Sequence, residues 1–467
     1  MPASRSAPQS ASRSAVVPVA AVFKRAMAQV PATAFTVLAI LAIGVVAVPV
    51  SADAGASPRP QEAPAVCFAP GTPTWRIRQV TAFARGNTGL TASRGRFQGL
   101  PANRWSTTAS SGGGLAQGDP TVITWSYLAD GVSIPGNQVP GEPTAPSNLR
   151  AWLGGIYGDF ATWHAIFVAV FTRWSELTGI TYVYEPNDDG ASFGPGGAPG
   201  LAGVRGDVRV GAHFIDGSPA GGSVLAYNFF PNNGDMVIDS ADSFFNNIGG
   251  NSIRMRNTLA HEHGHGIGLR HVCPIAQTKL MEPILTTSFD GAQHDDTLGG
   301  QRGYGDPDEP NDVRAAASGL AASAVTVAGR SIDDNLDVDW YRFPGAIGEQ
   351  ISFTLQPLGM SYLEGPQNPD GTCSAGTTFD SLVRSDLALE VRDSDGVTIL
   401  ASADAGPAGV AESITNLSLP RSGNFFVRVA GADNAAQLYD LTVAGIGTLF
   451  ADGFESGDTS AWSAAIP

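Results

Sequence analysis

The chain has 467 residues and an acidic, glycine-rich composition, with 43 Asp and Glu against 27 Lys and Arg, a formal net charge of −16, and 57 Gly. Nucleic-acid binding requires stripes of basic residues, so this charge balance argues against a nucleic-acid partner. The length suits two or three domains, each able to bury a core of its own.

Residues 1–52 are basic and then apolar. They carry four basic residues and no acidic one, and an apolar run extends from Ala34 to Val50. Such a segment, followed by small residues near Ala52, is typical of a signal peptide, and a retained membrane anchor is the alternative. Pro49 and the short run favour cleavage. We therefore expect a secreted, extracellular protein, with cell-surface attachment left open. We expect it to be a monomer without stable membrane association after cleavage.

Residues 53–104 are interpreted as an N-terminal segment or a short propeptide. The chain has three cysteines, Cys67, Cys273 and Cys373. In an oxidising compartment this odd number predicts one disulfide and one free thiol. A Cys67–Cys273 bridge is one hypothesis, because it would tie the N-terminal segment to the metal-binding region described below.

An α/β pattern of strands and helices begins near residue 105. The run Thr121–Tyr127 predicts a strand, and Trp163–Leu177 has apolar residues at helical spacing. Ile180–Tyr184 and Asp207–Val210 predict two further strands. We expect one α/β domain over 105–305.

Five residues near the middle of the chain follow the spacing of a metal site. They are His261, Glu262, His265, Gly268 and His271. On a helix, residues four apart share a face, so the first two histidines can bind the same ion. A glycine that ends the helix lets the chain turn so that the third histidine also reaches the ion. Three imidazoles leave one open position on a tetrahedral zinc, which is typical of a catalytic site.

Glu262 precedes the open position and can take a proton from the water that fills it. His263 is two residues from each helical ligand and should face away from the metal, so we expect a surface histidine. The alternatives are a solvated histidine-rich patch, or a structural zinc closed by a fourth protein ligand.

The run from His261 to His271 resembles the zinc site of the metzincin metallopeptidases, and its surroundings resemble the matrixin branch. Met281, in the sequence Leu280-Met281-Glu282-Pro283, resembles the methionine that those enzymes hold beneath the metal. The resemblance implies a zincin-like α/β (α+β) domain with a twisted mixed sheet and an active-site helix. It also implies one catalytic zinc and a secreted metalloendopeptidase that hydrolyses protein or peptide substrates by a Glu-activated zinc-bound water.

The same resemblance implies further sites. Asp216, Asp239 and Asp242 stand where matrixins place the carboxylates of a structural calcium ion, and an acidic turn is the alternative. Ser223–Asn228 would be the edge strand that binds an extended peptide, with the carbonyl of Ala226 contacting the substrate. The second, structural zinc of that family is not expected.

Three other features of this part of the chain are compared with the family pattern. The residues around Cys67 do not match the matrixin latency motif, so latency is not implied. The last helix of the domain should begin near Asp295 or Asp296, one of which would cap it. His294 is interpreted as a loop histidine, with a ligand or substrate contact as the alternative.

The sequence pattern changes from α/β to β-rich at residue 306. Residues 306–312 form an acidic linker, and short β-rich runs then alternate with turns. This spacing predicts an all-β antiparallel sandwich over 313–447, which resembles the bacterial pre-peptidase C-terminal domain. Its strands are predicted at Ile351–Leu355, Leu387–Arg392, Ser413–Leu419, Phe425–Val429 and Leu438–Val443. Residues 448–467 are a tail without an assigned role.

Two other functions remain open from the sequence. One is a non-catalytic surface or adhesion protein in which the zinc only stabilises the fold. The other is a zinc hydrolase of a non-peptide amide or ester.

Overall fold

The computed structural model describes residues 62–88, 103–219, 222–320 and 325–445, which lie in one compact unit of the chain. The predicted signal peptide and C-terminal tail lie outside the described residues. Among the described helices, none is long and apolar enough to cross a membrane.

The described residues contain five α-helices and 22 short or medium strands. The helices are α1 (Thr74–Thr88), α2 (Leu149–Tyr157), α3 (Phe160–Leu177), α4 (Gly249–Gly266) and α5 (His294–Tyr304). The strands are β1 (Ala65–Phe68), β2 (Thr107–Thr108), β3 (Gly112–Gly113), β4 (Thr121–Tyr127), β5 (Ser133–Ile134), β6 (Ala145–Pro146), β7 (Ile180–Tyr184), β8 (Val208–His213), β9 (Val224–Asn228), β10 (Met236–Asp239), β11 (Val272–Cys273), β12 (Ser318–Gly319), β13 (Val325–Ile332), β14 (Val338–Gly345), β15 (Gln350–Leu358), β16 (Ser361–Pro366), β17 (Thr377–Asp380), β18 (Leu387–Arg392), β19 (Ile399–Ala403), β20 (Glu412–Ser418), β21 (Gly423–Gly431) and β22 (Gln437–Ala444).

The predicted elements of the first domain are found, with shifted ends. The helix predicted from Trp163 begins at Phe160, because the carboxylate of Asp159 accepts a hydrogen bond from the backbone N–H of Thr162 and caps it. Helix α5 begins after Gln293, so neither Asp295 nor Asp296 is its N-cap. Asp296 instead takes the third position and bonds back to the Gln293 N–H, which completes a capping box.

A six-stranded mixed sheet organises the N-terminal part, in the order β1-β9-β10-β8-β4-β7. Strands β7, β4, β8 and β10 run parallel, whereas β9 is antiparallel to β10 and β1 is antiparallel to β9. The prediction that Ser223–Asn228 forms an edge strand is therefore wrong in this conformation. Strand β1 covers that edge, with Cys67 opposite Ala226.

Helices α3 and α4 pack together beside the sheet and enclose the main core. The core includes Trp125 from β4, Phe171 and Trp174 from α3, and Leu259 from α4. Each of these side chains is almost fully buried. Burial of one such large side chain stabilises the fold by roughly 2–3 kcal/mol, so α4 is firmly held.

The C-terminal part is built from a five-stranded sheet, β12-β14-β21-β18-β19, and a four-stranded sheet, β13-β22-β15-β20. Buried side chains from both sheets form one shared core. The five predicted strands all fall on strands of these sheets. The strand pairs of these two sheets are antiparallel, as predicted, except the two-residue pair of β12 with β14, which is parallel. The mixed α/β composition is confirmed, whereas the zincin-like and sandwich assignments stay predictions.

The two parts are joined by a strand pair and a covalent bond. Strand β11 pairs with β16, and a disulfide links Cys273 to Cys373. Cys67 is free and buried, so the Cys67–Cys273 hypothesis is wrong, although the predicted count of one disulfide and one thiol holds. The predicted linker is not a solvated tether, because Asp306 and Asn311 are fully buried.

Candidate metal centre

Helix α4 and the turn that ends it bring the three histidines together. His261 and His265 lie one turn apart near the C-terminal end of α4. The helix ends because Gly268 takes a φ of 102°, and the N–H groups of Gly268 and Leu269 bond to the carbonyls of His265 and Gly264. A side chain at Gly268 would collide with the backbone oxygen of Asn103, so glycine is required there. Gly268 therefore ends the helix, and the chain turns back towards His271 from this position.

The three Nε2 atoms form a nearly regular triangle. The distances are 3.1 Å between His261 and His265, 3.2 Å between His265 and His271, and 3.3 Å between His261 and His271. Zinc–nitrogen bonds of about 2.0–2.1 Å in a tetrahedron place neighbouring nitrogens about 3.3 Å apart. The donor set therefore fits a zinc ion, and no fourth histidine takes part.

Each histidine uses its other ring nitrogen as a hydrogen-bond donor. The acceptors of the Nδ1–H groups are the carbonyl of Leu280 for His261 (2.7 Å), the carbonyl of Leu269 for His265 (2.7 Å), and the Oε1 of Gln367 for His271 (3.0 Å). These bonds fix the tautomer that presents a lone pair on Nε2. Burial lowers the pKa of His261 to about 3 and that of His271 to about 4, so both imidazoles are neutral at pH 7, as zinc ligands must be.

Glu262 is fully buried next to the ligands. Neither carboxylate oxygen has a hydrogen-bond partner, although the backbone N–H of Cys67 faces the carboxylate without meeting hydrogen-bond geometry. Burial raises the pKa of Glu262 well above its usual range. Desolvation makes a carboxylate a stronger proton acceptor, which is the property that a general base needs.

Met281 supports the helix that carries the ligands. It is fully buried, and its Sδ lies directly against Gly264, where a Cβ would overlap it. The turn around it is held by Asp296, whose carboxylate accepts the N–H groups of Leu280 (2.9 Å) and Met281 (3.1 Å). Asp296 therefore fixes the Leu280 carbonyl that orients His261. From the sequence, Asp296 is expected only as a candidate helix cap.

Strand β1 lies along the groove beside the histidines. The N–H of Phe68 bonds to the carbonyl of Pro283 (3.3 Å), and the carbonyl of Phe68 accepts the N–H of Leu285 (2.9 Å). On its other side β1 pairs with β9. The chain thus holds an extended piece of its own backbone between β9 and residues 283–285, opposite Ala226.

Cys67 places its sulfur close to the metal centre. Its Sγ, a ring nitrogen of His261 and a carboxylate oxygen of Glu262 lie within 4.8 Å of one another. The sequence around Cys67 gave no indication of this proximity. The thiol is fully buried, and burial raises its pKa well above the usual range.

The three carboxylates predicted for calcium serve other partners. Asp216 pairs with Arg76 of α1 (2.6 Å), and Asp239 accepts the N–H groups of Asp216 and Gly217. Asp242 accepts the N–H of Phe244. Among the described residues, these three do not form a group with ligand atoms within 4.8 Å of one another, and an arginine already neutralises one of them. Calcium at this position stays a prediction.

A different carboxylate group stands at the start of the C-terminal part. Glu309, Asp312 and Asp337 place oxygens within 4.8 Å of one another. Burial raises the pKa of Glu309 to about 8 and that of Asp337 to about 9. Carboxylates this close repel one another unless they share protons or a cation.

The remaining histidines have structural partners. His263 faces away from the three candidate ligands as predicted, but the expectation of a surface position is wrong. It is fully buried, and its Nε2 lies 2.5 Å from the hydroxyl of Tyr182. His213 bonds to the buried Glu142 (2.8 Å). His294 is not in a loop but opens α5, where it bonds to Ser381 (2.9 Å).

A centre of three neutral histidines beside a buried, unpartnered carboxylate is the arrangement of a zinc hydrolase. The comparison with protein families agrees at that level. The Matrixin family, a zinc-dependent family of peptidases, has a model that matches residues 201–305. The match contains His261, His265, His271, Glu262 and Met281 and supports a peptidase in general.

Comparison with curated proteins finds no match. Among solved structures, the chain is similar to the pre-peptidase C-terminal domain of a collagenase from Bacillus anthracis, at 17% identity, over 27% of this chain and 93% of that one, with a TM-score of 0.18. It is also similar to a periplasmic inhibitor of g-type lysozyme from Aeromonas hydrophila, at 13% identity, over 27% of this chain and 94% of that one, with a TM-score of 0.18. Likenesses at these TM-scores carry no argument about function.

Proposed function

We propose that the protein is a secreted, zinc-dependent metalloendopeptidase that hydrolyses peptide bonds in protein or peptide substrates. One observation carries the proposal: the Nε2 atoms of three neutral histidines lie 3.1–3.3 Å apart, and Glu262 stands beside them, buried and without a hydrogen-bond partner. The match to the zinc-dependent Matrixin family supports the same reaction class.

The chain's own residues divide the work of hydrolysis. His261, His265 and His271 would hold the zinc, which when bound supplies a Lewis acid that polarises a carbonyl and lowers the pKa of water. Glu262 takes the proton from the attacking water and passes it to the leaving amine. General-base catalysis of this kind contributes typically about 10²–10⁴-fold to the rate.

The surroundings of β1 support a peptide as the substrate. Strand β9 and residues 283–285 hold an extended backbone from both sides by N–H···O=C bonds, as a peptide-binding groove does. A small ester or amide has no repeated backbone to satisfy these groups, so the groove favours peptide over non-peptide hydrolysis. We further propose that β1 must leave the groove before a substrate can bind. The backbone of the substrate would then lie opposite Ala226.

Cys67 raises a second candidate function, although its Sγ lies within 4.8 Å of a ring nitrogen of His261 and a carboxylate oxygen of Glu262 and does not belong to the group of three histidines. If the sulfur moved into the open position of the zinc, the site would be closed and structural, as in a surface or adhesion protein. Such a chain would bind zinc and cleave nothing, whether or not β1 is displaced.

Zinc content and casein cleavage of the purified secreted chain test the proposal, with and without 1,10-phenanthroline. Glu262→Gln should keep the zinc and lose about 10²-fold or more of the activity. Glu176→Gln, an exposed change on α3, is the matched control and should leave activity unchanged. Full activity in Glu262→Gln would remove this residue from the mechanism, and activity that survives complete zinc removal would refute the proposal.

A further inference from the structure

One of the three candidate ligands is oriented by a residue from the C-terminal part of the chain. His261 and His265 donate their Nδ1–H groups to backbone carbonyls of Leu280 and Leu269, which lie close to them in sequence. His271 donates instead to the side-chain Oε1 of Gln367, 96 positions further on, at 3.0 Å. An amide oxygen can only accept, so this contact assigns the proton of His271 to Nδ1.

The amide of Gln367 cannot easily turn over. Its Nε2 donates to the carbonyl of Gly371 (2.8 Å), so the oxygen must point towards His271. The loop that follows is itself bonded, from the N–H of Asn368 to the carbonyl of Thr372 (2.7 Å) and from the N–H of Gly371 to the carbonyl of Asn368 (2.9 Å). The acceptor is therefore held in place before any metal binds.

The loop is anchored to the metal-binding part at several points. Strand β16, which ends just before Gln367, pairs with β11, which begins just after His271. The disulfide Cys273–Cys373 closes the far end of the same loop. Together these contacts fix the distance between His271 and Gln367.

We infer that Gln367 is a positioning residue of the zinc site and that the hairpin formed by β16 and β17 completes this centre from the C-terminal part. The inference rests on the proposed zinc site and extends it. His271 lies outside helix α4, after the turn at Gly268, so no helix backbone restrains its ring. The bond to Gln367 supplies that restraint and keeps Nε2 directed at the Nε2 atoms of His261 and His265.

The test measures zinc affinity in the full chain, by competition with a chromophoric chelator. Gln367→Met keeps the volume of the side chain but removes the acceptor, and zinc affinity should fall about 10–100-fold. Gln367→Glu keeps an acceptor and should retain affinity within about threefold of the wild type. Gln356→Met, an exposed change on β15, is the control and should change nothing. Cobalt(II) absorption provides a second readout, because a reoriented imidazole alters the ligand field.

Each outcome decides the matter. Affinity of Gln367→Met within twofold of the wild type, or an equal loss in the Met and Glu variants, would overturn the positioning role. If Gln367→Met does not fold, Gln367→Asn, which withdraws the amide by one methylene, gives the same comparison. A chain that binds zinc but cleaves no peptide, even after removal of the segment that contains β1, would refute the proposed function and leave this inference intact, whereas a chain that binds no zinc would overturn both.

Discussion

Removal of the side chain of Phe68 should activate the enzyme, because that side chain helps to hold β1 in the groove. Phe68 is 1% exposed and packs in a cluster that joins the N-terminal segment to the first domain and also contains Val66, Ile77 and Tyr227. Its two backbone hydrogen bonds do not depend on the side chain. Phe68→Ala therefore weakens the docking of β1 without removing a group from the metal centre.

The magnitude follows from the burial. Truncation of a buried Phe to Ala costs about 3–5 kcal/mol, and each 1.4 kcal/mol changes a population ratio tenfold. The lower value would raise the fraction of chains with an open groove by about two orders of magnitude. The apparent kcat/KM scales with that fraction, so an increase of up to about 100-fold is expected for a casein-derived peptide.

Cys67 gives an independent readout of the same event. It is the free cysteine of the chain and is fully buried, so a thiol reagent should react slowly with the wild type and faster with Phe68→Ala. Trp75→Ala is the control, since Trp75 lies on the adjoining α1 and is 59% exposed. An unchanged kcat/KM in Phe68→Ala, at normal zinc content and with faster thiol reaction, would refute the idea that β1 blocks the substrate.

A glycine substitution and an aspartate substitution give two further predictions. Gly264→Ala would place a methyl group against the Sδ of Met281, so both the free energy of unfolding, by about 1–3 kcal/mol, and the zinc affinity should fall. The control Gly154→Ala, in an open position of α2, should raise the free energy of unfolding by about 0.5–1 kcal/mol, and equal melting temperatures of the two variants would contradict the prediction. Burial raises the pKa of Asp235 to about 7 from 3.8, so the folded state keeps a proton that the unfolded state releases, and stability from this group is lost as the pH rises from about 4 to 7. In Asp235→Asn the free energy of unfolding, measured in urea at pH 4 and pH 7, should fall less between these two pH values than in the wild type, by up to roughly 4 kcal/mol. An equal fall in both proteins would show that Asp235 does not titrate in this window.

Much of the metal centre could be read from the sequence because its ligands are local. His261 and His265 share a helix face, and Gly268 supplies the turn that brings His271 back, so 11 consecutive residues contain the whole donor set. The same local reasoning located α3 and the main strands, since helical and alternating periodicity depend on near neighbours. The prediction that one thiol stays free needed only a count of the cysteines.

Features that depend on distant contacts could not be predicted in this way. The disulfide joins residues 100 positions apart, and Gln367 reaches His271 only because β16 pairs with β11. No periodicity in residues 62–69 indicates that they pair with β9, because a short apolar run fits many edges equally well. The calcium prediction likewise did not include Arg76, which only the packing of α1 brings to Asp216.

The sequence by itself therefore determined the candidate ligands and their spacing, whereas the tertiary structure decided what covers the groove and which residues orient the ligands. Ligand identity and spacing are set by helix geometry, which the chain encodes locally. Whether the groove is open, which residue orients His271, and whether His263 is buried against Tyr182 depend on which distant surfaces meet. Such meetings are selected by the packing of the whole core, and no short stretch of sequence contains that information.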